Sequence, residues 1–232
     1  MSDELKKLAA KAAMQEVQSG MRIGLGTGST AKHFVDFLGA QVANGFECIC
    51  VPTSEVTAAQ ARSLNIPLAT LDEIDALDVT VDGADEIDGN RYLIKGGGGA
   101  LLREKIVAAA SGKMVVIADT SKMVDHLGVF PLPVEVNKFG LGATTKLVQA
   151  IMQEFNAQGD LALRQDKNGQ AFQTDGGHFI LDASFGLISD AKALSNALLD
   201  VPGVVQHGLF LDICSAAYLA SPDGVIKMGE TV

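Results

Sequence analysis

An alternation constrains this chain more than any other feature: short apolar runs of strand length take turns with segments of helical period through the first half of the sequence. Runs at 21–25, 48–51, 67–70, 79–81 and 114–118 read as strands, and segments at 31–38, 54–64 and 100–110 as helices. A charged amphipathic helix opens the chain, with Ser2 or Asp3 as its cap and Leu5, Leu8, Ala9, Ala12, Ala13 and Val17 on its apolar face. Strands separated by helices pair in parallel. The expected class is therefore α/β, with a mostly parallel sheet covered on both faces.

The pattern changes near Pro131-Leu132-Pro133. A strand at 133–136 and a helix at 144–155 precede two strand-like stretches, 161–164 and 171–174, which flank Asp166-Lys167-Asn168-Gly169. Asn-Gly accepts the positive φ angles of a tight turn, so these stretches read as a hairpin. A strand at 178–182 and a helix at 189–199 complete a small α+β region, which Val201-Pro202-Gly203 closes. Runs at 209–213 and 216–219 are strand-like and are expected to return to the first sheet, making the α+β region an insertion. The expected division is 1–130 with 208–232 as the main domain and 131–207 as the smaller one.

A net charge of −10 argues against a nucleic-acid surface, because phosphate backbones need a concentrated basic field. An anionic small ligand then requires a local pocket. Three cysteines form no C-x-x-C pair, which suggests a reducing compartment, and Cys48 and Cys50 are expected on opposite faces of one strand. The opening helix is not a signal peptide and no apolar stretch reaches membrane-spanning length, so the expected location is the cytoplasm.

Ligands of a parallel α/β sheet bind outside the carboxyl ends of the strands, and loops at such ends carry the unusual chemistry here. In Gly24-Leu25-Gly26-Thr27-Gly28-Ser29-Thr30, glycines let backbone N–H groups approach an anion and a helix N-terminus favours negative charge. A plain capped turn is the simpler reading. A nucleotide fits poorly, since G-x-G-x-x-G fails at Ser29 and no G-K-[ST] is present. Asp82-Gly83-Ala84-Asp85-Glu86-Ile87-Asp88 follows an apolar run; Ala84 stands where a calcium loop needs an oxygen ligand, whereas paired carboxylates suit proton transfer. A solvated acidic turn is the alternative. The run Lys95-Gly96-Gly97-Gly98-Gly99 serves close backbone approach to a ligand. Glu104 follows one turn into a helix, on the face of Leu101 and Ala108, where shielding from water suits a general base; otherwise it is an exposed first-turn acid. Asp119-Thr120-Ser121-Lys122 offers a lysine for an anion, and His33, His126, His178 and His207 show no metal-ligand spacing.

In this order, G-T-G-S-T, V-D-G-A-D-E-I-D, K-G-G-G-G-A-L-x-R-E-K and A-D-x-S-K closely resemble the A type of ribose-5-phosphate isomerase, and 130–136, 201–210 and 221–225 extend the match over nearly the whole chain. The resemblance implies a Rossmann-like sheet domain carrying a smaller inserted α+β domain of ferredoxin or ACT type. It implies a homodimer or homotetramer, a small sugar phosphate as partner, no metal and no organic cofactor. Substrate-binding positions fall on Thr27, Gly28, Ser29, Thr30, Asp82, Gly83, Ala84, Asp85, Lys95, Gly96, Gly97, Gly98 and Lys122, with Lys6 as a further phosphate contact. The implied catalytic base is Glu104; Asp82 or Asp85 opens the ring, and Lys95 with the glycine amides steadies an enediolate between ribose 5-phosphate and ribulose 5-phosphate. A proline expected soon after the strand at 133–136 is replaced by Asn137-Lys138-Phe139-Gly140. The rival readings are a non-catalytic sugar-phosphate sensor, which has no need of Glu104, and a nucleotide-dependent oxidoreductase, which the broken glycine pattern disfavours.

Overall fold

The computed structural model describes residues 3–229, so the expected cap at Ser2 lies outside the described residues. The helices are α1 (Asp3–Ala13), α2 (Ser29–Val42), α3 (Glu55–Ser63), α4 (Leu101–Ala109), α5 (Leu141–Glu154) and α6 (Ala191–Leu199). The strands are β1 (Arg22–Leu25), β2 (Ile49–Pro52), β3 (Val79–Gly83), β4 (Glu86–Ile87), β5 (Leu93–Ile94), β6 (Met114–Asp119) and β7 (Leu132–Val136), then β8 (Leu161–Leu163), β9 (Phe179–Ala183), β10 (Val204–His207), β11 (Leu209–Phe210), β12 (Cys214–Ser221) and β13 (Gly224–Gly229). They group into two units. One contains the chain up to Ala84, Arg103–Met123 and the chain from Asp212; the other contains Asp85–Leu102 and Val124–Leu211.

The first unit is built on a six-stranded sheet in the order β13-β12-β6-β3-β1-β2. All neighbours pair in parallel except β12 with β13. The parallel strands read as continuous apolar runs because both faces are covered, and β6 is buried at every position. Ile23, Leu25, Val79, Val81, Val115 and Ile117 pack with Phe34, Val35 and Leu38 of α2 and with Ala9, Ala10 and Ala13 of α1. Leu8 was expected on that apolar face and is instead 39% exposed; small alanines let α1 lie close, and the buried stripe is turned toward Ala10.

Two further expectations fail here. Cys48 and Cys50 share a face, with Cys50 Sγ 3.7 Å from Cys48 Sγ, because side chains two apart in a strand point the same way. The hydrogen bond from Cys50 holds the Cys48 thiol below its usual range, and the same contact with burial pushes Cys50 up. The 67–70 run forms a single parallel bridge, Leu68 to Cys50, rather than a strand.

The second unit carries a four-stranded sheet in the order β10-β7-β9-β8, antiparallel throughout, and a three-stranded sheet in the order β11-β5-β4. Val134, Val136 and Leu181 pack with Val148 and Met152 of α5 and Leu194 and Leu198 of α6. Three expectations are corrected. Residues 209–213 do not return to the first sheet, since β11 pairs with β5. Residues 171–174 are not a regular strand, yet the hairpin pairing is present in the Gln165–Ala171 bridge and in the bond from Phe172 N to Arg164 O at 2.8 Å, and Gly169 takes a positive φ of 77° in the turn. This unit also takes in 85–102, 124–130 and 208–211, beyond the 131–207 stretch. Where a proline was expected, Asn137 Oδ1 accepts the Phe139 N–H at 2.8 Å and Gly140, at φ 72°, caps α5.

Candidate functional site

In the first unit, β1 runs into Gly26 and α2 begins at Ser29, so the intervening backbone turns at the carboxyl end of the sheet. Gly28 caps α2 with φ 123° and lends no side-chain bond, which leaves the first-turn N–H groups facing outward beside exposed Gly28 and Ser29 and half-buried Thr30. That is the geometry of an anion site. The loop is fixed by Asp82, fully buried at the end of β3: its Oδ1 accepts from Thr27 N at 3.0 Å and Gly83 N at 2.7 Å. A β-carbon on Gly26 would stand 2.1 Å from Asp82 Oδ1, so this approach requires glycine.

The Thr27 hydroxyl is engaged by neighbouring hydroxyls. It meets Thr53 Oγ1 at 2.7 Å, Ser54 Oγ at 2.8 Å and Thr57 Oγ1 at 3.2 Å, and Thr57 donates to Gly26 O at 3.0 Å. These three hydroxyls, contributed by the end of β2 and the start of α3, are a support for the loop that sequence reasoning missed.

Glu104 sits in the first turn of α4 and is 2% exposed, so the exposed-acid alternative is rejected. Burial pushes the amine of the next residue, Lys105, down to about 7. Lys122 ends a short turn of 3₁₀ helix after β6 and is half-buried; Asp119 caps that turn by accepting from Ser121 N at 3.0 Å and from the Ser121 hydroxyl. Lys6 lies half-buried on α1 and makes no hydrogen bond or ion pair among the described residues, whereas Lys7 pairs with Asp3 and Glu4.

In the second unit, Asp85 Oδ2 accepts from Gly97 N at 2.7 Å. The Gly97 amide, expected to serve a substrate oxygen, is therefore committed to Asp85. Lys95 is 2% exposed with Nζ 5.4 Å from the Phe210 ring centroid, a distance at which the ring face favours the cation. Gly97 and Gly98 are exposed. Gly99 adopts φ 81°, and a β-carbon there would meet the Phe172 ring at 2.4 Å. Arg164 braces the run from below: Nη1 donates to Gly96 O at 2.7 Å and Gly97 O at 3.2 Å, while Nε and Nη2 grip Asp182 at 2.9 and 2.5 Å. Neither Arg164, Asp182 nor Phe172 was visible as a site residue in the sequence, because each is more than sixty residues from the run it supports.

The rest of the acidic stretch is structural. Glu86 accepts from Gly128 N at 2.7 Å and Phe130 N at 2.5 Å, and Asp88 from Asn90 N and Tyr92 N, both at 2.9 Å. The histidines are structural or superficial, as expected: His33 meets Asp3, His178 meets Glu135, and His126 is exposed. His207 accepts from Leu209 N through Nδ1, so its Nε2 carries the proton toward Ser195 Oγ and cannot activate that serine. Among the described residues, no group of three or more His, Cys, Asp or Glu is arranged to hold a metal ion, and no helix is long and apolar enough to cross a membrane.

Comparison with known proteins gives one consistent result. The family model described as ribose 5-phosphate isomerase A (phosphoriboisomerase A) matches residues 49–224. The ribose-5-phosphate isomerase A of Rhodopseudomonas palustris strain TIE-1 is 59% identical over 96% of both chains. That of Bradyrhizobium diazoefficiens is 57% identical over 96% of this chain and 94% of its own. Among solved structures, a D-ribose-5-phosphate isomerase in complex with phospho-erythronic acid superposes with a TM-score of 0.92, at 39% identity over 99% of this chain and 100% of that one. The ribose 5-phosphate isomerase A of Methanocaldococcus jannaschii gives 0.90, at 36% identity over 99% and 100%.

Proposed function

The chain belongs to the ribose 5-phosphate isomerase A family, and we propose that its buried first-turn glutamate, Glu104, is the base with which it interconverts ribose 5-phosphate and ribulose 5-phosphate. The observation that carries this role is the 2% exposure of Glu104 in the first turn of the helix that follows the glycine run. An acid at the start of a helix ordinarily faces water, and shielding makes it a stronger proton acceptor.

In the forward direction the furanose ring opens first. Exposure supports Asp85, which is partly exposed, as the group that moves the ring-hydroxyl proton, and Asp82, which is fully buried, as the residue that positions Thr27. Glu104 then takes the proton from carbon 2, the electron pair forms the carbon 1–carbon 2 double bond, and the carbonyl electrons pass to oxygen 1. Lys95 and the Gly98 amide steady that negative oxygen. Glu104 returns its proton to carbon 1 as the hydroxyl proton on oxygen 2 shifts to oxygen 1, giving the ketose. The phosphate rests on the N–H groups at the start of α2, the hydroxyls of Ser29 and Thr30, and the amines of Lys122 and Lys6. A solved relative that holds phospho-erythronic acid, a phosphorylated sugar acid, supports a ligand of this class.

The test is Glu104→Gln, which keeps shape and removes the base. We expect kcat to fall by about 10²–10⁴-fold, with sugar-phosphate affinity and melting temperature close to those of the parent. Turnover near the parental value would assign the proton transfer elsewhere. We further propose a cytoplasmic homodimer or homotetramer. The cysteines, all free thiols, support the location, and Phe139, 91% exposed, supports a face covered by a second copy; light scattering checks the assembly.

A further inference from the structure

A cavity of about 670 Å³ opens within the first unit. Its walls are the carboxyl end of β2, α3, the 68–73 segment and one face of α4. Arg103, Ile106 and Val107 of α4 line it, while Glu104, Asp82, Lys122 and the Thr27–Thr30 loop do not. Apart from Ser54, whose hydroxyl supports the Thr27 turn, the cavity is lined by none of the groups given roles in isomerisation. Its volume lies in the small-molecule range, and it occupies the kind of place where doubly wound sheets bind ligands, outside the carboxyl end of a strand. Leu68 bridges Cys50 in parallel, so the 68–73 segment leaves the sheet at the same end as β2.

The lining offers three kinds of chemistry. Val51, Val107 and Leu71 belong to one apolar cluster, and Ile106 stands beside them 49% exposed. Of the charged groups, Arg103 is paired with Glu55 at 2.9 Å, and Glu73 accepts from Thr70 N and Oγ1 at 2.7 and 2.9 Å. That leaves Arg62, exposed on α3, which makes no ion-pair contact among the described residues although its charge helps hold the Glu55 carboxyl below its usual range, and Asp72, exposed on the 68–73 segment. An apolar wall suits a planar base, an exposed carboxylate suits a pair of ribose hydroxyls, and an arginine with open donors suits a phosphate.

We propose that this cavity binds a nucleoside monophosphate: the base against Leu71 and Ile106, the ribose hydroxyls donating to Asp72, the phosphate on Arg62. Such a ligand itself contains a ribose 5-phosphate moiety, so the experiment must keep it out of the isomerase site. Adenosine monophosphate is titrated calorimetrically into protein equilibrated with saturating ribose 5-phosphate. The expected result is one-to-one binding that survives the sugar phosphate, weakens at least tenfold in Arg62→Ala, and exceeds the binding of adenosine or inorganic phosphate alone. Arg62→Ala is expected to retain isomerase activity, which shows that the variant is folded. Binding abolished by the sugar phosphate, or unchanged in Arg62→Ala, overturns the proposal. Phosphate alone binding as tightly as the nucleotide overturns it as well, leaving only a non-specific anion contact.

Discussion

A single missing methyl group decides how closely β1 and β3 approach at their carboxyl ends. With a β-carbon at position 26 set to fall 2.1 Å from Asp82 Oδ1, Gly26→Ala must push the carboxylate out of its bonds to Thr27 N and Gly83 N. The expected loss is about 1–3 kcal/mol of stability, seen in urea unfolding, with a higher KM as the phosphate loop shifts. The residues that make chemistry were largely legible at this scale. Glu104 could be read as shielded because its neighbours at i−3 and i+4 are Leu101 and Ala108. The residues that hold chemistry in place were not: Thr53, Ser54 and Thr57 find Thr27 across 26 to 30 positions, and no local spacing encodes that. The cysteine prediction failed for a simpler reason, the two-residue period of a strand.

Elements were legible where periodicity was long and strong, as in the parallel strands and α2 to α6. Short or polar ones were not. β11 is two residues long, and its partner β5 is equally short, so nothing in 209–213 announced a different sheet. β13 has no buried position, and Lys227 interrupts its few apolar residues. The Arg164 clamp is likewise a product of pairing, since β8 brings the start of the hairpin against β9 and Asp182. If that clamp sets the shape of the glycine run, Arg164→Ala and Asp182→Ala should each lower kcat/KM by about 10–100-fold. The double variant should be no worse than the poorer single, because both remove one shared support. Additive losses in steady-state kinetics would show that the two side chains act independently.

Across the whole molecule, the α/β class and the parallel order were set by the alternation of runs, whereas the reassignment of 85–102 depended on contacts that only the folded chain makes. One long-range contact sets a pH response. Glu16 joins the end of the first helical segment to β12 and β13: Tyr218 donates to Oε1, Lys227 Nζ lies 2.7 Å from it, and Lys113 Nζ lies 2.6 Å from Oε2. Burial pushes this carboxyl up, but the bonds from Lys113, Lys227 and Tyr218 together outweigh it and hold it down at about 2. A folded-state value below the ordinary 4.5 means the stabilisation is complete above about 4.5 and is lost as pH falls toward 2. Urea unfolding between those limits should therefore show the parent losing roughly 1–2 kcal/mol more than Glu16→Gln.

The stretch from Asp82 to Asp88 acts as a row of clasps, each carboxylate fastening a different length of main chain: Asp82 the Thr27 turn, Asp85 the Gly97 amide, Glu86 the Gly128 and Phe130 amides, Asp88 its own turn at Asn90 and Tyr92. Deleting one residue inside the row would move every later acid off its anchor at once. The segment is thus intolerant of changes in length even where it tolerates changes in side chain, and its spacing, more than its charge, is what the fold has to preserve.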